Sequence, residues 1–149
     1  MNTKLTIGRI DKVDFPEFLL EEIEVKIDSG AYTSSIHCSN IKEIEENGES
    51  YLKFTLLDPK HTAYNNKEFS TKNYSSKMVK SSNGIAEERF MILTEIIIFN
   101  VSFPIHLTLS ERKEMKFPVL LGRKFLNQKF VIDTTKTNLS HKLKHKQIQ

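Results

Sequence analysis

The feature that most constrains this chain is a run of apolar residues spaced two apart that leads into an acid and a glycine. Ile23, Val25 and Ile27 alternate with charged residues, a period typical of a half-buried β-strand. Residues 28–30, which follow directly, read Asp-Ser-Gly. The pattern places a carboxylate at the end of a buried strand, where glycine lets another backbone or a ligand approach closely. Taken alone, Asp-Ser-Gly is also a common turn that caps a strand.

Other segments carry strand signals together with the turns that join them. Residues 41–57 predict a hairpin that turns at Asn47-Gly48, because this pair supplies the two positive-φ residues of a type I′ turn. Residues 90–99 and 101–109 predict two further strands, joined around the asparagine between them. The chain is therefore predicted to be mostly β.

Three features refine this all-β prediction. Pro104 predicts that its strand is an edge strand or is bulged there, because proline cannot donate to a ladder. A single short helix is predicted over residues 123–127, after Gly122. Residues 59–84 are polar, with five lysines and one glutamate, and predict a long loop that is mobile, functional or simply a polar hairpin.

The length of 149 residues predicts one domain, over residues 1–135, followed by a basic polar tail over 136–149. The net charge of +3 comes from this tail, which holds four lysines and no acid, while the rest carries 18 basic and 19 acidic side chains. A lysine tail without aromatic residues is typical of a solvated end, so no nucleic-acid partner is expected. No apolar run is long enough for a membrane span or a secretory signal, so we expect a cytoplasmic protein without a membrane partner.

The sequence predicts neither a metal site nor a cofactor. The lone cysteine, Cys38, excludes an internal disulfide and a multi-cysteine zinc site, and it reads as a small buried residue rather than an activated thiolate. His37 is adjacent to it, so on a strand the two side chains point to opposite faces. His141 and His145 have helical spacing, but the tail offers no apolar face to hold a helix.

A second motif lies about 90 residues after the first. Residues 117–126 read FPVLLGRKFL, which predicts a buried strand, a glycine and a short helix. Residues 133–135 read Asp-Thr-Thr and partly match the Asp-Ser-Gly triplet, but Thr135 stands where a glycine is expected, so no internal repeat is predicted.

An early Asp-Ser-Gly-Ala and a late apolar-apolar-Gly-Arg in an all-β chain resemble the retropepsin-like aspartic proteases. Within that superfamily the chain is most similar to a bacterial branch that carries the label ATP-dependent zinc protease, over about residues 5–135. The matching segments are Ile7-Gly8-Arg9, residues 26–37, Ser82-Asn83-Gly84, residues 87–89, residues 107–109 and residues 115–123. The resemblance implies an all-β, retropepsin-like half-barrel with one short C-terminal helix.

The resemblance also implies a mechanism and a partner. Aspartic proteases use two carboxylates about 3 Å apart that share one proton. This chain has one suitable triplet, so the resemblance implies a C2 homodimer with Asp28 from each subunit as the catalytic residue. The substrate would be a peptide or protein, with acidic substrates as one option, and it would bind as an extended strand.

The remaining site residues are carried over from the same resemblance. Ser29 would hydrogen-bond across the dimer axis, and Ala31 lacks a hydroxyl that some relatives place beside the dyad. Leu121 and Gly122 would pack behind the catalytic loop, and Arg123 follows them. The supporting set is Ser29, Gly30, Ala31, Leu121, Gly122 and Arg123, and the substrate-binding flap would have its tip at Ser82, Asn83 and Gly84.

Two other functions stay open at this point. Tyr32 stands where viral retropepsins carry an acid that pairs with the late arginine, and the lysine-rich tail does not resemble a dimerising strand. Both departures favour a non-catalytic peptide- or protein-binding module on the same fold. A metal-dependent hydrolase is a weaker hypothesis, since the chain has neither a His-Glu-x-x-His motif nor a Walker-type phosphate loop.

Overall fold

The computed structural model describes residues 3–80, 83–111 and 116–146. The strands are β1 (Leu5–Ile7), β2 (Ile10–Phe15), β3 (Leu20–Ile27), β4 (Ser34–Glu46), β5 (Glu49–Leu56), β6 (Glu68–Thr71), β7 (Tyr74–Lys80), β8 (Ala86–Ile98), β9 (Val101–Ser110), β10 (Val119–Leu121) and β11 (Phe130–Ile132). The helices are α1 (Arg123–Leu126) and α2 (Leu139–Lys146), and a 3-10 turn covers Pro16–Phe18. The fold is mostly β, which confirms the predicted class.

Six strands close into a barrel. They follow the order β10-β3-β2-β8-β9-β4, and a pairing between β10 and β4 closes the ring. The inward side chains are apolar because the strands alternate; in β3, for example, Ile23 and Val25 are fully buried. A barrel of this kind has no free edge along its closed part and holds its core inside. The result is the retropepsin-like half-barrel that the resemblance implies.

The predicted hairpins form as expected. Strands β4 and β5 pair from Glu46–Glu49 outward, and Asn47 and Gly48 have φ values of 52° and 78°. Positive φ at both central residues is the type I′ geometry that an Asn-Gly turn favours. Strands β8 and β9 turn in the same way at Phe99-Asn100.

Pro104 lies on a stretch of β9 that is paired on one side. It faces Glu95 of β8, whereas the β4 ladder on the other side begins only at Leu107. The missing proline N–H therefore costs no ladder hydrogen bond, in agreement with the predicted local edge.

The polar segment 59–84 contains more structure than predicted. It holds all of β6 and β7, which pair with β5 and β8 respectively. Phe69 of β6 packs its ring against Phe18 and Phe54, with ring centroids 5.0 Å and 6.0 Å away. The ring of Tyr74 in β7 lies 6.1 Å from that of Phe90 in β8. These aromatic contacts, together with edge pairing, order a segment whose composition predicts a loop.

The C-terminal segment also differs from the solvated tail that its composition predicts. Residues 139–146 form α2, which packs on β2. The fully buried carboxylate of Asp11 accepts hydrogen bonds from the backbone N–H groups of Ser140 and His141 at 2.9 and 3.0 Å. A carboxylate at a helix N-terminus satisfies free N–H groups and favours the helix dipole, so a distant acid holds a helix that lacks an apolar face. In the described part of the chain, no helix has the length and apolar character needed to cross a membrane.

Candidate active site

Asp28 is held at the end of β3 by its own loop and by β10. Its backbone N–H donates to the carbonyl of Leu121 at 2.9 Å, and its carbonyl accepts the N–H of Ala31 at 3.2 Å. Its carboxylate oxygen Oδ1 accepts the N–H of Gly30 at 3.0 Å. The residue is half-buried, so it is only partly shielded from solvent.

Gly30 contributes by lacking a side chain rather than by its backbone conformation. It does not belong to the glycines with positive φ, so the loop does not require the glycine-only region of backbone space. A Cβ built at this position would lie 3.3 Å from Oδ1 of Asp28, tighter than ordinary contacts. Glycine therefore keeps this side of the carboxylate uncrowded.

Strand β10, which includes Leu121, packs directly behind the loop. It pairs in parallel with β3, where Leu121 faces Ile27, and antiparallel with β4, where Val119 faces Ile36. The carboxylate-bearing turn is therefore built on three hydrogen-bonded strands, the kind of rigid support that a reactive group needs.

Gly122, in the motif at residues 117–126, packs directly against the backbone that follows the Asp-Ser-Gly motif. A Cβ there would lie 2.7 Å from the carbonyl oxygens of Tyr32 and Thr33, so no side chain fits without moving the backbone. Its N–H donates to the hydroxyl of Ser34 at 3.0 Å, a contact buried from solvent. Ser34 is a positioning residue that the sequence reasoning did not single out, although it lies inside the matched segment 26–37.

Arg123 has partners that the sequence leaves undefined. Its backbone N–H donates to the carbonyl of Ala31 at 2.8 Å, and its guanidinium donates from Nη1 to the carbonyl of Ser29 at 2.9 Å. Its Cζ also lies 5.8 Å from the ring centroid of Tyr32, within cation–π range. Arg123 therefore stabilises the loop through hydrogen bonds to backbone carbonyls and a contact with the ring of Tyr32. In viral retropepsins, an acid at the position of Tyr32 pairs with the corresponding arginine.

A cleft of about 640 Å³ lies between this loop and the β7–β8 hairpin. Ala31 and Thr33 line it from the loop side, and residues 75–77, Val79 and residues 87–91 line it from the hairpin side. Asn83 and Gly84, two of the predicted flap residues, lie at the tip of that hairpin, where Gly84 has a φ of 82°. The third, Ser82, lies outside the described residues.

The loop that carries Asp133 has the same backbone arrangement. The N–H of Asp133 donates to the carbonyl of Ile7 at 2.9 Å, and the N–H of Arg9 donates to the carbonyl of Lys136 at 2.9 Å. Arg9 donates from Nη1 to the carbonyl of Thr134 at 3.1 Å, as Arg123 does to Ser29. Strands β1 and β11 pair in parallel beneath it, as β10 and β3 do beneath the first loop.

We call each aspartate loop, together with the strand pair and the Gly-Arg segment that hold it, a cradle. The cradle around Asp133 repeats the one around Asp28, contrary to the sequence prediction that the chain has no internal repeat. The prediction assumed that the third loop position needs glycine, yet neither Gly30 nor Thr135 has a positive φ. In the second loop, the hydroxyl of Thr135 donates to Oδ1 of Asp133 at 2.5 Å, beside the Thr135 N–H at 3.0 Å. These bonds hold the pKa of the Asp133 carboxyl below its usual value.

Cys38 is fully buried, as predicted, and burial raises the pKa of its thiol to about 12. A thiol in that state is protonated near neutral pH and is a poor nucleophile. Cys38 is therefore part of the core and takes no part in the candidate site.

The closed half-barrel, with an Asp-Ser-Gly loop seated on a Leu-Gly-Arg segment, defines a retropepsin-like protein. A family model described as "RimB-like: Retropepsin-like aspartic endopeptidase RimB" matches residues 6–143. The chain therefore belongs to the RimB-like family.

Relatives and a solved structure agree with this membership. A protein of Shewanella pealeana is 31% identical over 140 residues, and one of Desulfotalea psychrophila is 33% identical over 130 residues. Both are named "Probable alpha-L-glutamate ligase". The matches cover 91% and 87% of this chain but only 30% and 28% of those proteins, so the chain spans about three-tenths of their length. The crystal structure of a Legionella pneumophila protein of unknown function matches with a TM-score of 0.67 and 27% identity, over 93% of this chain and 99% of that one.

Proposed function

We propose that this chain is an aspartic endopeptidase that acts as a homodimer, with Asp28 of each subunit in the catalytic dyad. The observation that carries the proposal is the cradle around Asp28: a half-buried carboxylate fixed by backbone hydrogen bonds on a loop whose Ala31 lines a cleft. A catalytic carboxylate needs both rigid placement and access to the substrate.

In the proposed dyad, the two carboxylates share one proton because two adjacent negative charges cannot both persist. The ionised aspartate takes a proton from a water molecule that attacks the scissile carbonyl. The protonated aspartate donates a hydrogen bond to the carbonyl oxygen and stabilises the negative charge that develops there. The β7–β8 hairpin, with Asn83 and Gly84 at its tip, would cover an extended substrate in the cleft.

The placement of the two loops supports a dimeric dyad over an internal one. Ala31 of the Asp28 loop lines the cleft, whereas no residue of the Asp133 loop does, and the two aspartates lie at the ends of separate strand pairs, β3–β10 and β1–β11. A second copy of Asp28 is therefore the better partner.

We propose acidic peptides as the substrate class. What supports this is that the relatives that contain a region similar to this chain are named "Probable alpha-L-glutamate ligase". A peptidase domain inside a protein that joins glutamate would meet glutamyl chains. Lys77 and Arg89 lie along the hairpin side of the cleft, interspersed with Glu87 and Glu88, and we expect the two cations to bind substrate carboxylates.

The test is mass-spectrometric profiling of a peptide library enriched in acidic sequences, incubated with wild-type protein, Asp28→Asn and Asp133→Asn from pH 4 to 8. We expect cleavage by the wild type and by Asp133→Asn, and none by Asp28→Asn. Cleavage that survives in Asp28→Asn would refute the dyad, and cleavage without preference for acidic peptides would refute only the substrate class.

A non-catalytic peptide-binding module is the second candidate, and the Arg123–Tyr32 contact favours it because viral relatives use an acid at that place. This candidate predicts saturable peptide binding by a stable monomer, with no cleavage at any pH. Sedimentation and the same library distinguish the two functions.

A further inference from the structure

Two histidines and a glutamate converge at the end of β3 remote from Asp28. His141 and His145 are one helical turn apart on α2, with ring centroids 4.2 Å apart. Glu22 faces them from β3, where its Oε1 is 2.6 Å from Nε2 of His145 and 3.7 Å from Nδ1 of His141. One nitrogen from each histidine and one glutamate oxygen all lie within 4.8 Å of one another.

One of these atoms is buried without a hydrogen bond. Within the described residues, Nδ1 of His141 has no hydrogen-bond partner and is shielded from solvent. Buried polar atoms in folded proteins are nearly always satisfied, so an orphaned imidazole nitrogen aimed at a carboxylate indicates a missing ligand.

We propose that Glu22, His141 and His145 bind one zinc ion. Two histidines four residues apart on a helix, with one carboxylate, form a ligand set typical of zinc. Zinc–ligand bonds of about 2.0–2.2 Å place tetrahedral ligand atoms roughly 3.3 Å apart, between the separations of 2.6 and 3.7 Å seen here. Small side-chain rotations would bring the three atoms onto one ion, with water in the fourth position.

The backbone already holds the proposed ligands in place. Asp11 fixes the first turn of α2 by accepting the N–H of His141 at 3.0 Å. The N–H of Glu22 donates to Oδ1 of Asp14 at 2.8 Å, and Glu22 adopts a left-handed φ of 52°. A site whose ligands are fixed before binding loses less entropy when the ion enters.

Lys144 is a cation close to the proposed zinc site, and it would repel a bound zinc ion. Its Nζ lies 3.8 Å from Oε1 of Glu22 but only 3.0 Å from Oδ2 of Asp14. Asp14 therefore supplies a closer partner that can retain the ammonium group when a cation occupies Glu22.

The zinc would tie the C-terminal helix to the barrel and not take part in hydrolysis. Glu22 and Asp28 lie six residues apart in sequence, at opposite ends of β3, which places them about 20 Å from each other. The proposed role is therefore a structural clamp that stabilises the folded chain by mass action.

The test is isothermal titration calorimetry with zinc chloride on the full chain, freed of any affinity tag and treated with chelator. We expect one zinc per chain, with affinity at least about tenfold weaker in His141→Ala, His145→Ala and Glu22→Gln, since losing even a supporting partner at a metal site costs that much. His106→Ala, an exposed histidine outside the cluster, is the matched control and should bind as the wild type does.

Thermal unfolding supplies a second readout. Zinc should raise the Tm of the wild type and of His106→Ala but not that of His145→Ala, whose exposed side chain can be removed with little effect on folding. Circular dichroism of the metal-free variants checks that each is folded. Absence of saturable binding by the wild type, or equal binding by folded His145→Ala and Glu22→Gln, would overturn the proposal.

Discussion

Residues 28–31 and 133–136 form two loops with matching backbone hydrogen bonds, each seated against a Gly-Arg pair from elsewhere in the chain. In both loops the aspartate Oδ1 accepts the N–H of the residue two positions later at 3.0 Å. The difference is that residue: Gly30 leaves Asp28 uncrowded, whereas the Thr135 hydroxyl also binds Asp133.

The comparison separates what builds the cradle from what, under the proposed function, makes its aspartate reactive. Backbone atoms and a tightly packed glycine build the cradle, so two different sequences form it. The side chain at the third position decides whether the carboxylate accepts a further hydrogen bond: the Thr135 hydroxyl donates one to Asp133, whereas Gly30 has no side chain to donate one to Asp28. The Asp28 loop also borders the cleft through Ala31, whereas no residue of the Asp133 loop lines it.

The largest expected effect separates the two aspartates. Asp28→Asn should lower the rate of peptide cleavage by about 100- to 10,000-fold, the usual contribution of a general acid–base. Asp133→Asn should leave the rate within a few-fold of the wild type. Steady-state kinetics on a peptide from the library check this; equal losses in both variants would mean that the loops do not differ in function.

The next effect compares the two tightly packed glycines. A Cβ at Gly8 would lie 2.2 Å from the carbonyl oxygen of Lys136, against 2.7 Å for the nearest atoms at Gly122. We expect each alanine variant to lose about 1–3 kcal/mol of unfolding free energy, with the larger loss for Gly8→Ala. Urea unfolding measures this.

The variants Gly8→Ala and Gly122→Ala also distinguish an effect on stability from an effect on peptide cleavage. Gly122→Ala should reduce cleavage even at temperatures where it is fully folded, because the inserted carbon displaces the Asp28 loop. Gly8→Ala, assayed under the same conditions, should retain its rate. The reverse order in cleavage would contradict the assignment of the two loops.

A smaller effect is expected at the two arginines. Arg123→Met and Arg9→Met each remove an exposed hydrogen bond to a loop carbonyl, so each should cost no more than about 1 kcal/mol. Only Arg123→Met should lower cleavage, by a few-fold, since it loosens the loop that carries Asp28. Thermal unfolding and kinetics on both variants check this, and a rate loss confined to Arg9→Met would contradict it.

The smallest expected effect is the pH dependence of the Asp133 loop. The folded-state pKa of Asp133 lies below its ordinary value of 3.8, chiefly because of the Thr135 hydroxyl, so its stabilisation is complete above 3.8 and is lost as the pH falls through the lower folded value. Thr135→Val should therefore lose less stability on acidification below pH 4 than the wild type does. Urea midpoints from pH 5 to pH 2.5 measure this, with Asp133→Asn as a control expected to show the same flatter profile. A profile for Thr135→Val as steep as that of the wild type would contradict the role of the hydroxyl.

Much of the barrel is predictable from sequence because its signals are local. The alternation in β3 and the Asn47-Gly48 turn each specify their structure within a few residues. The position of Asp28 on its loop follows from the same local pattern.

The elements that escape prediction depend on distant contacts. Helix α2 is held by Asp11, more than 120 residues away, and β6 is held by the Phe69 ring. The second cradle does not need the glycine whose absence at Thr135 argues against a repeat, because backbone hydrogen bonds, which any residue can make, define it. The helical spacing of His141 and His145 is visible in the sequence, but the tail lacks the apolar face that predicts a helix, and Glu22 joins the two histidines only once α2 has folded.

The most direct test of the account is to mix wild-type and Asp28→Asn subunits, allow them to exchange, and measure cleavage as a function of the mole fraction of wild type. If each active site takes one Asp28 from each subunit, only wild-type pairs cleave, and an equal mixture retains about a quarter of the activity. Mixtures with Asp133→Asn should show no such deficit. A linear decline, with about half of the activity in the equal mixture, would mean that one chain holds a complete site and would contradict the dimeric dyad.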